Sequence, residues 1–294
     1  MVPNGHEEDY CRVVQDVTTR MLPHTGIEII RPLQLDRPPQ HVLFDFDGTL
    51  SLIREGWPEV MIPLMVETLQ ATGTDESTAA LHELCSDFVT ALTGKQTIYQ
   101  MIRLAEEVTR RGARPKDPMV YKQQYLDRLT ERITDRREGL RCGRIPAREM
   151  VVPDSIELLD ALRERGVMLY VASGTDEPYV LEEVALLGLD RYFGPHVYGA
   201  RDDYKSFSKA QVIDRILRKN ELQGRSLLGF GDGYVEIQNI KAAGGTAVAV
   251  ASDEAQRSGK PDPWKRDRLI GAGADIVIPD YRDYQPLLDY LWNV

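Results

Sequence analysis

The sequence contains little cysteine. Only Cys11, Cys85 and Cys142 occur among 294 residues, far apart and without a C-x-x-C spacing. Three isolated cysteines are not typical of a disulfide framework or of a zinc site. We therefore expect buried or incidental thiols.

Long apolar runs are also missing. No stretch approaches the roughly 20 apolar residues that a membrane helix needs. The start, MVPNGHEEDYCRVVQDV, has neither the basic segment nor the apolar core of a signal peptide. With 42% hydrophobic and 28% charged residues, the composition predicts a soluble globular protein. We expect a cytoplasmic protein without membrane contacts.

Positive charge is in deficit, because the formal net charge is −10 at pH 7. A nucleic-acid groove requires clustered lysine and arginine on a basic domain, so we predict no nucleic-acid partner. A small anionic substrate would need local positive charge or a metal ion in these acidic surroundings.

Short apolar runs that alternate with helical patterns are the clearest positive signal. Continuous apolar strands of this kind indicate a sheet covered on both faces, and their alternation with helices indicates parallel βα units. Two capping boxes, DSIE from Asp154 and SKAQ from Ser208, predict helix starts. The predicted strands are Val42–Phe44, Met168–Ala172, Leu227–Phe230, Thr246–Val250 and Ile276–Ile278.

Residues 57–144 interrupt this alternation. They have helical periodicity without a convincing strand, which predicts an all-helical insert between two parts of a core domain, residues 40–56 and 145–294. Residues 1–39 form an N-terminal extension of unassigned function. The extension contains an amphipathic stretch, Tyr10–Met21, and a candidate edge strand within IEIIRPLQLDRPPQ.

Two aspartates close the first strand of the predicted core, in HVLFDFDGTL (residues 41–50). Side chains two residues apart in a strand point the same way, so Asp45 and Asp47 can both reach the carboxyl edge of the sheet. Adjacent carboxylates repel each other unless a cation or a proton is shared. A solvated Asp-Gly turn is the alternative, but the pattern D-x-D-G-T should arise by chance in a chain this long only roughly three times in a thousand, which favours a functional site.

Later strand ends carry groups that suit phosphate. In LYVASGT, Ser173 offers a hydroxyl and Gly174 an accessible backbone N–H. In SKAQVIDRIL, the cap places Lys209 at the first helical position. Lys205, in the preceding loop, is a competing candidate without a cap to fix it.

The strand Leu227–Phe230 ends in GDGYVE, which supplies Asp232 and Glu236. A carboxylate from this end that joins Asp45 would create the oxygen-rich, water-retaining ligand set that Mg²⁺ prefers.

These four ordered segments resemble the motifs of the haloacid dehalogenase superfamily: DFDGT, Ser173 after an apolar strand, Lys209, and GDGYVE. The resemblance implies a Rossmann-like, doubly wound parallel sheet with a helical cap. That cap class is shared by phosphoglycolate phosphatases and β-phosphoglucomutases.

The resemblance also implies residue roles. Asp45 would be the nucleophile and Asp47 the general acid and base, while Ser173, Gly174 and Lys209 would hold phosphate. Mg²⁺ would be bound by Asp45, the backbone carbonyl of Asp47, and Asp232. Glu236 departs from the more usual aspartate, which leaves open whether it holds a metal-bound water or Lys209.

Substrate choice is expected to lie in the insert and in the segment after the nucleophile. Candidate contacts to the leaving group are Arg54 and Trp57, and Gly94, Lys95 and Gln100 in TGKQTIYQ. Each could instead be a solvated loop residue, and Trp57 a packing residue. The basic run Lys260–Arg268 is predicted to be a solvated loop.

The sequence therefore predicts an enzyme, a Mg²⁺-dependent phosphatase that acts on a small phosphorylated metabolite through an aspartyl phosphate. A phosphosugar mutase of the β-phosphoglucomutase type is the alternative, because it would use the same motifs and differ in excluding water. A phospho-aspartate receiver is less favoured, since receivers are short, uncapped and lack an acid two residues after the nucleophile. The oligomeric state is not predicted.

Overall fold

Eight strands form a single sheet. A computed structural model describes residues 10–14, 17–33, 38–201, 208–221 and 224–292. The strands within these residues are β1 (Arg20–Met21), β2 (Glu28–Ile29), β3 (His41–Phe44), β4 (Met168–Asp176), β5 (Val197–Ala200), β6 (Leu227–Gly231), β7 (Thr246–Val250) and β8 (Ile276–Ile278). Their spatial order is β1-β2-β8-β7-β6-β3-β4-β5. The strands from β8 to β5 are parallel, whereas β1 and β2 pair antiparallel at one edge.

Eleven α-helices lie in the described residues. They are α1 (Pro58–Gln70), α2 (Thr78–Ala91), α3 (Thr97–Arg110), α4 (Pro118–Arg141), α5 (Ser155–Glu164), α6 (Glu177–Leu186), α7 (Asp190–Phe193), α8 (Lys209–Lys219), α9 (Tyr234–Ala242), α10 (Pro263–Gly271) and α11 (Tyr284–Trp292). Short 3₁₀ helices cover Ala147–Met150 and Gly224–Ser226.

Both faces of the sheet are covered, which explains the continuous apolar strands. Val42 and Phe44 of β3 pack with α5, α6, α7 and α11, whereas Leu43 faces the opposite side with α8, α9 and α10. Neighbouring strand residues alternate between the two faces, so a strand buried on both sides needs apolar residues throughout. The predicted Rossmann-like α/β fold is confirmed.

Helices α1 to α4 form the helical cap, which lies between β3 and β4 in the chain. Local signals account for several helix starts: Pro58 and Pro118 occupy first helical positions, and the Ser77 hydroxyl accepts a hydrogen bond from Ala80 N. Lys122 of α4 pairs with Asp176 at the end of β4, with 2.6 Å between Nζ and Oδ1. The cap therefore contacts the carboxyl edge of the sheet. The domain boundaries at residues 57 and 144 stay predictions.

Helix α5 begins directly after Asp154, as predicted, but the Asp154 backbone is left-handed (φ 60°) and its side chain makes no capping hydrogen bond. The described residues of the amphipathic stretch Tyr10–Met21 contain no helix and end in β1. The prediction of an edge strand was wrong, because β2 pairs with both β1 and β8.

Strand β5 was not predicted from the sequence. Its Gly199 and Ala200 are weak strand formers, and they obscure the apolar signal of Val197. Within the part of the chain that the structure describes, no helix combines the length and the apolar character needed to cross a bilayer.

Candidate active site

The first predicted aspartate lies directly at the carboxyl end of β3. Asp45 N donates a hydrogen bond to Phe230 O of the neighbouring β6 (2.9 Å), which continues the sheet pairing to the site itself. The side chain is 7% exposed. Gly48 turns the chain away with φ of 70°, and a Cβ there would lie 2.2 Å from Asp232 Oδ2. A glycine is needed because it tolerates this φ and allows the loop to approach Asp232.

Lys209 contacts this aspartate. The Ser208 hydroxyl caps α8 by accepting from Gln211 N, as predicted, and Lys209 occupies the first helical position. Its Nζ lies 2.9 Å from Asp45 Oδ1 and also pairs with Glu236. Lys209 and Glu236 are each 3% exposed. Of the two roles left open for Glu236, the structure has the contact to Lys209. Lys205 lies outside the described residues.

The end of β4 supplies a hydroxyl pair. Thr175 Oγ1 donates to Asp47 Oδ2 (2.7 Å), and Thr175 N donates to Ser173 Oγ (3.0 Å). An added Cβ at Gly174 would meet Lys95 O of the cap at 3.2 Å, so the missing side chain allows the cap to approach. Thr175 was missed by sequence reasoning, although it directly follows Ser173 and Gly174.

Arg54 is buried beside the second aspartate and is not a solvated loop residue. Its Nε and Nη2 donate to the Glu183 carboxylate of α6 at 2.8 to 3.1 Å. Its Nε lies 3.8 Å from Asp47 Oδ1. Glu183 is fully buried and was not predicted, because nothing in the sequence of α6 distinguishes it from a surface glutamate.

Asp232 is paired with a lysine that was predicted to be solvated. Lys265 Nζ lies 2.8 Å from Asp232 Oδ2 and 2.6 Å from Glu254 Oε1. Residues 263–268 are the first part of α10 and not a loop, so the prediction for Lys260–Arg268 was wrong. The helix points one basic residue of this run toward the carboxyl edge of the sheet, and neither Lys265 nor Glu254 was foreseen.

Most of these groups line one small cavity of about 110 Å³, room for about four water molecules. Glu183 and Lys265 are not among the residues that line it. The core contributes Asp45, Asp47, Gly48, Arg54, Ser173, Gly174, Thr175, Lys209, Asp232 and Glu254, and the cap contributes Trp57, Gly94, Lys95, Gln100 and Tyr125. Lys95 Nζ also lies 5.5 Å from the centre of the Tyr99 ring. Every predicted site residue except Glu236 lines this cavity, and Glu236 lies behind Lys209.

Burial and crowding of negative charge weaken the acidity of both aspartates. Burial is the largest effect on Asp45 and raises its pKa to about 6; Lys209 opposes this shift, and Asp232 adds to it. Burial likewise raises the pKa of Asp47 to about 6, against the attraction of Arg54 and with the repulsion of Glu183. Both groups can therefore exchange protons near neutral pH.

The donor set suits a hard divalent cation. Asp45, Asp232 and the carbonyl of Asp47 supply oxygen atoms, the ligands that Mg²⁺ prefers. Asp47 Oδ1 is buried without a hydrogen-bond partner. Among the described residues, no three aspartate, glutamate, histidine or cysteine side chains form a ready metal cluster. The proposed ligand set needs only two such side chains, Asp45 and Asp232. Asp45 Oδ1 accepts a hydrogen bond from Lys209, and Asp232 Oδ2 accepts one from Lys265.

Comparison with known proteins identifies the family of the chain. Residues 39–244 match the family model of haloacid dehalogenase-like hydrolases. The chain belongs to this family. The match confirms the predicted resemblance and the prediction of a hydrolytic enzyme. No curated protein matches the chain significantly.

Solved structures share the fold at low sequence identity. A predicted phosphoglycolate phosphatase from Haemophilus somnus 129pt is 16% identical with a TM-score of 0.55, covering 85% of this chain and 97% of its own. A HAD family hydrolase from Deinococcus radiodurans R1, with bound phosphate and sodium, is 19% identical with a TM-score of 0.53 (87% and 97% covered). A β-phosphoglucomutase from Clostridium difficile is 12% identical with a TM-score of 0.57 (86% and 97% covered).

Proposed function

We propose that the protein is a Mg²⁺-dependent phosphatase that hydrolyses a small phosphate monoester through an aspartyl phosphate on Asp45. The observation that carries this proposal is the meeting of Asp45, Asp47, Lys209 and Asp232 in one small cavity. A buried carboxylate beside an ammonium can attack phosphorus, and a second carboxyl beside it can move the protons that the reaction requires.

Phosphate binding falls to Lys209, Ser173 and the backbone N–H of Gly174. The ammonium supplies positive charge, and the hydroxyl and the N–H supply hydrogen-bond donors. Glu236 fixes Lys209 from behind, so the ammonium is already oriented before substrate arrives. Such fixed charges stabilise charge on a transferring phosphoryl group without reorganisation.

In the first step, an Asp45 oxygen forms a bond to phosphorus while the bond from phosphorus to the leaving oxygen breaks. Asp47 gives its proton to the departing oxygen. Its pKa of about 6 leaves a useful protonated fraction near neutral pH. The hydrogen bond from Thr175 holds one carboxyl oxygen of Asp47 in place.

In the second step, Asp47 is ionised and takes a proton from water. The water oxygen bonds to phosphorus, the bond to Asp45 breaks, and inorganic phosphate is released. General acid and base help of this kind contributes about 10² to 10⁴ in rate. Asp45, Asp232 and the carbonyl of Asp47 would hold Mg²⁺, which when bound offsets the repulsion between a carboxylate nucleophile and a phosphate dianion.

The size of the cavity favours a small substrate, such as a phosphorylated sugar or acid. Lys95 and Gln100 of the cap lie where they can contact a polar leaving group. Arg54 is less suited to that contact, because its guanidinium already binds Glu183.

The test is phosphate release from p-nitrophenyl phosphate with and without Mg²⁺. Asp45→Asn should abolish Mg²⁺-dependent release while the fold remains intact by circular dichroism. Asp214→Asn, on the exposed face of α8, is the matched control and should retain wild-type rates. Comparable release by Asp45→Asn would contradict the proposal.

A panel of phosphate esters would then identify the substrate class. A phosphosugar mutase remains the second candidate because it would use the same core residues. Formation of a sugar bisphosphate from glucose 1-phosphate, in place of free phosphate, would decide for the mutase.

A further inference from the structure

Lys265 has an unusual set of contacts for a lysine in a basic surface run. All three ammonium protons have acceptors: Asp232 Oδ2 at 2.8 Å, Glu254 Oε1 at 2.6 Å and Ser252 Oγ at 3.2 Å. The side chain is 14% exposed. An ammonium has three donors and no acceptor, so this network satisfies it completely.

The start of α10 fixes where this ammonium lies. Asp262 caps the helix by accepting from Lys265 N (2.8 Å), and Pro263 is the first helical residue. Lys265 is therefore in the first turn, where the helix dipole disfavours a positive charge. A buried ammonium is stable at this place only because two carboxylates face it. Burial lowers its pKa, but Asp232 and Glu254 raise it further, so its pKa lies above the ordinary value.

The network also reaches the nucleophile loop. Ser252 Oγ donates to Gly48 O at 2.8 Å, while Lys265 donates to Ser252. Lys265 thus connects the loop that follows β3 with the loop that follows β6. These two loops carry all the oxygen atoms of the proposed metal site.

We propose that Lys265 is the positioning residue of the metal ligand Asp232, and that Glu254 is the counter-charge that makes this possible. The inference rests on the proposed function, which places Mg²⁺ at Asp232. Lys265 binds Asp232 Oδ2, while Asp232 Oδ1 accepts a long hydrogen bond of 3.4 Å from Thr49 Oγ1 and is the oxygen left for the ion. The two carboxylates and the ammonium together carry one negative charge, which equals the charge of Asp232 alone. Lys265 therefore holds Asp232 in place without removing the negative charge that attracts Mg²⁺.

The alternative is that the Lys265 ammonium occupies the position of Mg²⁺ beside Asp232 and competes with the ion for this carboxylate. The two accounts differ in the direction of the effect. If the ammonium competes with Mg²⁺, its removal strengthens Mg²⁺ binding. If it positions Asp232, its removal weakens binding, and partners of metal-binding carboxylates typically contribute about 10- to 100-fold in affinity.

The experiment is calorimetric titration of the substrate-free protein with MgCl₂, which does not depend on turnover. Lys265→Met should weaken Mg²⁺ binding about 10- to 100-fold. Glu254→Gln should also weaken it, since it leaves the ammonium uncompensated beside the ion. Lys260→Met, which removes an exposed lysine nearby in the chain, is the matched control and should bind like wild type.

The double variant Lys265→Met/Glu254→Gln separates positioning from charge. Its net charge equals that of wild type, but Asp232 has lost its anchor, so we expect binding as weak as in Lys265→Met. Wild-type affinity in the double variant, or unchanged or tighter binding by Lys265→Met, would overturn the inference. If Lys265→Met does not fold, unchanged affinity in Glu254→Gln overturns it.

Mg²⁺ binding by the wild-type protein shows whether the proposed function fails or only the proposed role of Lys265. If wild type binds Mg²⁺ and Asp232→Asn does not, the metal site is established and only the role of Lys265 is in question. If wild type binds no Mg²⁺, the proposed function fails and this inference fails with it.

Discussion

The ion pair of Arg54 and Glu183 is expected to matter for both stability and proton transfer, and Glu183→Gln tests this. Three N–H···O contacts of 2.8 to 3.1 Å join the two side chains, and both are buried. Removing one partner of a buried pair costs about 3–5 kcal/mol, because the remaining charge is left uncompensated. Glutamine keeps one acceptor oxygen, so we expect a loss near the lower end, about 3 kcal/mol.

Such a loss should be visible as a melting temperature lowered by about 6 °C or more, at roughly 2 °C or more per kcal/mol for a chain of this size. The second effect concerns Asp47. Glu183 raises the pKa of Asp47 and Arg54 lowers it, so the substitution should lower that pKa. Since Asp47 must be protonated to act as an acid, the high-pH limb of kcat/KM should move to lower pH.

The assays are calorimetric unfolding and a pH profile of p-nitrophenyl phosphate hydrolysis. Glu182→Gln is the matched control, because Glu182 is the preceding residue of α6, is 37% exposed and pairs with Arg137 and Arg141. Exposed pairs contribute about 0–1 kcal/mol. If Glu183→Gln unfolds like Glu182→Gln and its pH profile coincides with that of wild type, the reasoning about this buried pair is refuted.

Three further predictions concern the same cavity. Asp47→Asn should slow turnover by about 10²- to 10⁴-fold for every ester, because the second step loses its base, whereas the first step should be slowed less with p-nitrophenol than with alkyl leaving groups; equal losses in single-turnover rates of phosphorylation would argue against an acid role. Lys209→Met leaves Asp45 and Glu236 buried without their cation, so urea unfolding should show a loss of about 3–5 kcal/mol; wild-type stability would contradict this. The folded pKa of about 6 for Asp45 and Asp47 exceeds the ordinary 3.8, so the folded state binds more protons within that window. The contribution of these two groups to stability in EDTA should therefore fall as pH rises from about 4 through about 6. The melting temperature of wild type, measured relative to the double variant Asp45→Asn/Asp47→Asn, should fall over that range, and a difference that rises there would count against both pKa shifts.

The parallel core could be predicted because burial on both faces leaves a direct trace in the sequence. Leu227–Phe230 and Thr246–Val250 are apolar without interruption, and both form strands. The helix start at Ser208 could also be predicted, because the capping hydrogen bond joins residues only three positions apart in the sequence. Asp154 begins a segment with the same capping-box pattern but makes no capping hydrogen bond, because its left-handed backbone turns the chain differently.

The central residues of the site could be predicted because parallel strands bring their carboxyl ends to one edge. Asp45 and Asp232 each follow a strand directly, and Ser173 lies near the carboxyl end of β4. Lys265 and Glu183 do not, and each lies on a helix whose surface residues look much alike in sequence. Their roles depend on partners far away in the chain, Asp232 for Lys265 and Arg54 for Glu183, and only the folded packing makes those pairs.

The most direct measurement is the site of phosphorylation during turnover. The Asp47→Asn variant can be mixed with p-nitrophenyl phosphate and Mg²⁺, quenched in acid within one turnover, digested and analysed by mass spectrometry. We expect one added phosphoryl group on the peptide that contains Asp45, and none in Asp45→Asn. A phosphoryl group on another residue, or turnover without any phosphorylated peptide, would contradict it.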